Sequence, residues 1–184
     1  MILNDNKILD FISKGKISIK PFSQSNLRPS SYCLMLDNTI QVFQKSKKRN
    51  INLLDPTTYP PMTKIEISKS SPYLLKPGEL ILGNSIECIA LSKNVSGLLS
   101  NISGLARLGL NVLLSTHVSS GFGENNPKKI VFEIYNHSKF NIEIIPNVRI
   151  CHIVFIKNIS SSISGYDELF PSKYKQSIKS EYYK

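Results

Sequence analysis

A single glutamate stands among apolar residues in one segment of the sequence. Residues 130–135 read IVFEIY, a composition typical of a strand, and Glu133 is the charged member. Strand alternation puts Glu133 on one face with Val131 and Tyr135. If the other face packs on the core, Glu133 points to water. If it is buried, it needs a cation or a hydrogen-bond donor, because burying an unpaired carboxylate costs on the order of several kcal/mol.

A serine and an arginine lie four residues apart in the segment 103–110, which reads SGLARLGL. If residues 103–108 form one helical turn, Ser103 and Arg107 share a face of it. A hydroxyl and a guanidinium close to a carboxylate such as Glu133 would form a cluster that can activate water. The alternative for Arg107 is a purely structural ion pair.

Other catalytic chemistries lack their motifs. The zinc-dependent nucleotide deaminases carry His-x-Glu followed by Pro-Cys-x-x-Cys, because the metal generates the hydroxide that attacks the base. Neither half occurs here, so any deamination must proceed without zinc. We expect Cys33, Cys88 and Cys151 to be small buried residues. Cys151 and His152 are adjacent on a predicted strand and cannot easily share one metal.

The elements that must position these residues are mostly strands. Asn4 or Asp5 can cap an N-terminal helix that Gly15 ends. Short apolar runs with turns between them then indicate an all-β sandwich or barrel. The pair Asp37-Asn38 interrupts one run and predicts a hairpin. Strands are expected at 65–67, 80–82, 85–91, 110–116, 129–135, 140–145 and 149–156.

The length of 184 residues fits one domain, which we predict at 1–157, followed by a C-terminal tail at 158–184. Because its Ser-rich start cannot form a core, the tail is expected to be mobile until it docks. No apolar stretch is long enough to span a membrane and no secretory signal opens the chain, so a cytoplasmic protein is expected.

The formal net charge of +10 fits a polyanionic partner. A nucleic acid is one option and a nucleoside triphosphate in a basic cleft is the other. The densest basic cluster, within 45–49, lacks interleaved aromatic residues and indicates a solvated loop. Nucleic-acid binding is therefore not favoured.

Several motifs together resemble the dCTP deaminase/dUTPase family. The segment 103–110 resembles the G-R/K-S-S-L-A-R-L-G-L stretch of dCTP deaminases, and 131–136 resembles the strand that carries their catalytic glutamate. Further resemblances follow in chain order: PSSY at 29–32 to P-S-S-Y-D-L-R-L-G, KPGE at 76–79 to L-x-P-G-E, 146–151 to P-G-M-R-I-G/C, and Lys173, Tyr174 and Gln176 to the C-terminal K-Y-x-x-Q.

The resemblance implies a dUTPase-like distorted β jelly roll that forms a homotrimer with active sites between subunits. It implies that Glu133 is the general base for water attack on C4 of cytosine, assisted by Arg107 and Ser103. Substrate binding would extend to Thr116 and His117, and Lys173, Tyr174 and Gln176 would close over the nucleotide. Magnesium would arrive on the triphosphate.

Several positions depart from the family pattern. Ile102 stands where the family has a basic residue and Gly104 where it has a second serine, so phosphate-binding groups are lost. Cys33 and Met35 replace an aspartate and an arginine. Before the glutamate strand, an aspartate is replaced by Ser119 or Ser120. Three hypotheses follow: a dCTP deaminase that forms dUTP and ammonia, an enzyme for a pyrimidine nucleotide or nucleoside with fewer phosphates, or a catalytically silent nucleotide-binding relative.

Overall fold

A computed structural model of the chain describes residues 1–44 and 50–169. Within these ranges it contains three α-helices: α1 Asp5–Ser13, α2 Ser103–Arg107 and α3 Tyr166–Leu169. It also contains twelve strands: β1 Ile17–Lys20, β2 Leu27–Arg28, β3 Ser31–Phe43, β4 Met62–Glu66, β5 Tyr73–Leu75, β6 Leu80–Leu91, β7 Val95–Asn101, β8 Leu110–Asn111, β9 His117–Val118, β10 Lys128–Asn136, β11 Ile142–Ile144 and β12 Arg149–Lys157.

Ten of these strands form one antiparallel sheet. Its main path runs β8-β10-β6-β3-β12-β7-β9, with β1 paired to β6, and with β2 and β4 paired to β3. The long strands β3 and β6 each contact several partners along their length, so the sheet curls around one apolar core that includes Tyr32, Phe132 and Phe155. A separate pair, β5 and β11, completes the domain. The prediction of an all-β domain is confirmed.

The N-terminal helix forms where its caps predict. The Asn4 side chain accepts a hydrogen bond from the backbone N–H of Lys7 at 3.0 Å, which satisfies one of the free donors at the start of α1. Ile8 is fully buried beneath the helix. Gly15 follows the last turn with φ +66°, a left-handed conformation that glycine adopts without strain.

The predicted hairpin at Asp37-Asn38 is wrong. β3 is a single strand of 13 residues that continues through both residues. It pairs with β4 from Thr39 onward and with β12 before Leu36, and a register shift against β6 between Leu36 and Ile40 absorbs the polar residues as a bulge. Strand pairing on both edges therefore overrides the local turn preference.

One predicted strand is too long, and some strands of the structure were not predicted. The strand expected at 110–116 stops at Asn111, because the backbone N–H groups of Val112 to Ser115 donate to side chains instead of a neighbouring strand. β1 and β7 were not predicted. β7 reads VSGLLSN, whose glycine and serines weaken the strand signal, but it lies between β12 and β9 in the sheet.

The first part of the predicted tail is docked on the domain. The backbone N–H of Ser162 donates to the carbonyl of Lys93, and that of Tyr166 donates to the carbonyl of Ser120, both at 2.9 Å. Residues 158–169 are therefore docked in this structure, and the expectation that the tail is mobile until it docks stays a prediction. Residues 170–184, with Lys173, Tyr174 and Gln176, lie outside the described residues, and the domain boundary at 157 stays a prediction.

Two of the three cysteines are buried as expected, whereas Cys88 is only partly buried; all three are free thiols. Burial raises the pKa of the Cys151 thiol to about 12, so this side chain stays protonated and packs as an apolar group. In the described part of the chain, no helix is long and apolar enough to cross a membrane.

Candidate active site

A surface cleft of about 400 Å³ opens beside β10. Lys129, Val131 and Glu133 form one wall of it from this strand. The remainder comes from Leu99 of β7, Ile130 of β10, Tyr166 of α3 and five residues between 115 and 122: Ser115, His117, Val118, Ser119 and Phe122. Among the described lining residues, Glu133 is the one carboxylate.

Glu133 points into this cleft because of strand alternation. Ile130, Phe132 and Ile134 are buried in the core, so Val131 and Glu133 face outward, which is one of the two alternatives that the sequence left open. The side chain of Glu133 is half-buried. Its Oε2 accepts hydrogen bonds from the backbone N–H groups of Leu114 and Ser115, both at 3.2 Å. No described residue donates a hydrogen bond to Oε1, which leaves this oxygen available to a ligand or water in the cleft.

The loop that holds Glu133 is itself fixed by two asparagines. Asn101, at the end of β7, donates from its side-chain amide to Oδ1 of Asn111 at 3.0 Å and accepts from the N–H of Val112 at 3.0 Å. Asn111 Oδ1 also accepts from the N–H of Leu113 at 2.9 Å. Together these bonds set the path of 112–115, and the last two N–H groups of this loop, those of Leu114 and Ser115, donate to Glu133. The sequence interpretation missed both asparagines. Their position on either side of the SGLARLGL segment was the available signal.

The residues before β10 contribute polar groups unequally. His117 lines the cleft, and its Nδ1 lies 3.4 Å from the hydroxyl of Ser119. Thr116 is exposed and lies outside the lining, and its carbonyl accepts from the N–H of Leu99 at 2.7 Å. Ser120, the other serine at the position of the family's aspartate, instead contacts the hydroxyl of Ser162 at 3.0 Å.

Two aromatic rings close one side of the cleft. Phe122 and Tyr166 both line it, with ring centroids 6.0 Å apart. Neither ring was predicted from the sequence as part of the site. Tyr166 in particular lies in the segment that was interpreted as a tail. Gly165 directly before Tyr166 was the signal for a close backbone approach.

Ser103 and Arg107 lie on α2 and away from this cleft. The predicted helical turn is confirmed, and both side chains are exposed four residues apart on it. Neither lines the cleft that holds Glu133. Within one chain, the structure therefore brings Glu133 and His117 together but does not add Ser103 or Arg107 to them.

The departures near α2 have simple local consequences. Ile102 precedes the helix and offers no side-chain hydrogen bond to its free N–H groups. Gly104 faces open space, and a Cβ placed on it would meet no atom within 4 Å. Gly109 ends the segment at φ +84°, where a Cβ would lie 2.8 Å from the backbone nitrogen of Ser138. This turn therefore needs glycine.

Metal ligands do not gather in the described part of the chain: no group of three or more His, Cys, Asp or Glu side chains is placed to hold an ion. Cys33 on β3 and His152 on the neighbouring strand β12 lie side by side, with Sγ and Nδ1 3.5 Å apart. Burial raises the pKa of Cys33 and lowers that of His152. This pair lies outside the cleft lining.

The sequence model of the dCTP deaminase-like family matches residues 2–158. The chain is 32% identical over 157 residues to the dUMP-forming dCTP deaminase of Hydrogenobaculum sp. (strain Y04AAS1), covering 85% of this chain and 82% of that protein. It is 34% identical over 166 residues to the dUMP-forming dCTP deaminase of Sulfurihydrogenibium sp. (strain YO3AOP1), covering 90% and 89%. The chain belongs to the dCTP deaminase-like family.

A solved structure from the same family supports the fold. The structure of 2'-deoxycytidine 5'-triphosphate deaminase from Agrobacterium tumefaciens matches with a TM-score of 0.62 at 18% identity. The match covers 84% of this chain and 47% of that chain, so this chain spans about half of its length. The predicted dUTPase-like β fold and the family resemblance are confirmed.

Proposed function

We propose that this member of the dCTP deaminase-like family is a hydrolase that deaminates the cytosine of dCTP without a metal on the protein. The observation that carries the proposal is the setting of Glu133. Two backbone N–H groups donate to Oε2, and the side chain lines a cleft of about 400 Å³. A carboxylate held in one orientation beside a ligand-sized space is suited to general-base work.

In the proposed reaction, Glu133 accepts a proton from water as the water oxygen bonds to C4 of cytosine. The C4–N4 bond then breaks and the amino group leaves as ammonia. Of the two water hydrogens, one ends on ammonia and the other on N3, while the water oxygen becomes the C4 carbonyl of uracil. Glu133 ends the cycle as a carboxylate, so that it acts as a proton carrier between these atoms.

The other cleft residues would bind the nucleotide. His117 and the hydroxyl of Ser119 offer polar groups to the base or sugar, and the rings of Phe122 and Tyr166 offer an apolar wall. Thr116 directly precedes His117 in the sequence, and it is proposed as a substrate-binding residue because of the family resemblance. Lys173, Tyr174 and Gln176 keep their proposed role in closing over the nucleotide. Magnesium would enter with the substrate, bound to its phosphates.

We further propose that a second copy of the chain supplies Ser103 and Arg107. In one chain both side chains are exposed and lie off the cleft. Large apolar side chains are also exposed near these segments: Leu98 (41%), Leu108 (66%), Leu114 (63%) and Val131 (40%). Contact with a neighbouring copy would cover them and bring a guanidinium to the substrate. The homotrimer implied by the resemblance is the assembly we propose.

The products of the reaction depend on whether the triphosphate is cleaved as well as the amino group. With Glu133 as the one carboxylate among the described lining residues, and with Ser119 and Ser120 in place of the aspartate, the site favours dUTP and ammonia as products. The names of the relatives favour a second candidate, in which dCTP is converted to dUMP with loss of ammonia and pyrophosphate.

The test is to supply deoxycytidine, dCMP and dCTP separately with magnesium and to measure ammonia and pyrophosphate. Ammonia from dCTP without pyrophosphate supports the first candidate, and both products from dCTP support the second. Ammonia from dCMP or deoxycytidine alone would indicate a substrate with fewer phosphates. If none of the three releases ammonia, the chain is a silent relative and the proposed activity is wrong. The cytoplasmic location expected from the sequence remains part of the proposal.

A further inference from the structure

The helix α3 brings Tyr166 to the cleft but cannot hold itself there. Isolated helices shorter than about 12–15 residues are marginal in water, and α3 has only four residues. Its position must therefore come from contacts with the body of the domain.

The backbone contacts fix where this segment crosses the domain. Gly121, at φ +78°, lies so close to Gly165 that a Cβ on Gly121 would be 2.4 Å from the Gly165 Cα. The N–H of Tyr166 donates to the carbonyl of Ser120 at 2.9 Å. These contacts end at the first residue of α3, so they do not set the orientation of the helix.

Two ion pairs hold the helix itself. Lys128 Nζ lies 2.8 Å from Oδ1 of Asp167, with side chains 20% and 15% exposed. Lys93 Nζ lies 2.6 Å from Oε1 of Glu168, with side chains 32% and 46% exposed. Because solvent screens exposed pairs more strongly, the Lys128–Asp167 pair is expected to contribute more.

Lys128 also connects α3 to the aromatic side of the cleft. Its ammonium lies 6.0 Å from the centroid of the Phe122 ring, which in turn lies 6.0 Å from the ring of Tyr166. Lys128 is the first residue of β10, the strand that carries Glu133. Its own side chain is not among the described lining of the cleft. Lys128 therefore contacts the elements that form the cleft wall and does not itself line the cleft.

We propose that Lys128 is a positioning residue: through its ion pair with Asp167 it holds Tyr166 against Phe122 as a wall of the nucleotide cleft. The inference rests on the proposed function, because it takes dCTP as the ligand of this cleft. Loss of the ion pair lets α3 move away and weakens nucleotide binding. The bonds from Leu114 and Ser115 to Glu133 stay in place, so the chemical step is preserved.

The first test is steady-state kinetics with dCTP. Lys128→Met is expected to raise KM about fivefold, with kcat within about twofold of the parent. Lys128→Arg keeps the ion pair and is expected to restore the parent KM. The matched control is Lys14→Met, which breaks the exposed Lys14–Asp10 pair at α1 and should leave both constants unchanged. The double variant Lys128→Asp with Asp167→Lys should recover most of the affinity lost by either single change.

The second test is hydrogen exchange of the same full-length variants without nucleotide. Lys128→Met should accelerate exchange of the amides of 160–169, including Tyr166, and leave those of β12 protected. If Lys128→Met does not fold, Asp167→Asn removes the same ion pair and takes its place in both tests.

The outcomes separate this inference from the proposed function. If the parent protein releases no ammonia from dCTP, the proposed function fails, and exchange at 160–169 still tests whether Lys128 positions α3. If the parent is active, an unchanged KM in Lys128→Met overturns this inference and leaves the proposed function standing. An equal fall of kcat in Lys128→Met and Lys128→Arg has the same consequence. Unchanged exchange at 160–169 overturns it as well.

Discussion

Glu133 and Glu87 lie on the neighbouring strands β10 and β6, and their carboxylates have opposite surroundings. Glu133 faces the cleft and is half-buried. Glu87 faces inward and is only 2% exposed, and its Oε2 accepts one hydrogen bond from the N–H of Met35 at 3.0 Å. The family motif that 29–32 resembles has an arginine at the position of Met35. The strand next to Glu87 therefore lacks that guanidinium in this chain. These surroundings support the proposed catalytic role of Glu133, and we propose a structural role for Glu87.

Glu87→Gln is predicted to stabilise the protein at neutral pH. Burial raises the pKa of Glu87 above its ordinary value of 4.5. The folded state therefore binds this proton more tightly than the unfolded state does, and stability falls as the pH rises above 4.5 toward the folded pKa. Glutamine keeps an oxygen for the N–H of Met35 and carries no charge.

The measurement is urea unfolding of both proteins at several pH values. The free energy of unfolding of Glu87→Gln should exceed that of the parent at pH 7, and the difference should shrink toward pH 4.5. Glu143→Gln, on an exposed position of β11, is the control and should change little. A variant that is less stable than the parent at pH 7 would contradict the assignment.

At the scale of elements, the loop 112–115 decides how firmly Glu133 is oriented. The Asn101–Asn111 pair fixes this loop, so Asn101→Ala is predicted to lower kcat by about tenfold to a hundredfold, because small displacements of a catalytic group are costly. The loss of stability should be only about 1 kcal/mol. Asn158→Ala, which removes a single hydrogen bond with Ser96 near the other end of β7, is the matched control.

Steady-state kinetics with dCTP and thermal unfolding, each measured for both variants, check this prediction. We expect a large fall of kcat for Asn101→Ala and a small one for Asn158→Ala, with similar losses of stability. Equal kcat values in the two variants would show that the asparagine pair does not position Glu133.

The elements that the sequence predicted are those whose signals are local. Asn4 and Gly15 cap α1 through their own backbone neighbourhood, and the alternation in β10 alone determines which face Glu133 shares. β3 and β7 depend on partners far away in the sequence. β3 continues through Asp37 because it pairs with β4, β12 and β6. β7 forms despite Gly97 because it pairs with β12. Non-local pairing of this kind is not visible in a local pattern.

The same distinction between local and non-local signals applies to the residues of the candidate site. The sequence identified Glu133 from its contrast with apolar neighbours and His117 from its place in the family-like segment. It could not identify Asn101 or Tyr166, because their roles arise from contacts with Asn111 and Phe122, which lie 10 and 44 positions away in the sequence.

At the scale of the whole molecule, the residues that we propose for one site do not lie together in one chain. Ser103, Arg107 and the apolar side chains around them are exposed, while Glu133 lies in a separate cleft. We predict that Glu133→Gln and Arg107→Ala are each inactive alone and recover activity when they are unfolded and refolded together. In a homotrimer with sites between subunits, an equal mixture yields about one intact site in four.

Ammonia release from the refolded mixture, compared with each variant refolded alone, checks this prediction. Size-exclusion chromatography with light scattering should give three times the chain mass of 20.7 kDa for each sample. A mixture that stays inactive while it is trimeric would show that Glu133 and Arg107 do not meet between subunits.

The most direct test of the central claim compares ammonia release from dCTP by the parent protein and by Glu133→Gln, with dCTP binding measured for both by calorimetry. The account predicts that the parent releases ammonia. Glu133→Gln should bind dCTP with similar affinity and turn over at least about a hundredfold more slowly. A Glu133→Gln variant that binds dCTP and releases ammonia at the parent rate would contradict the account.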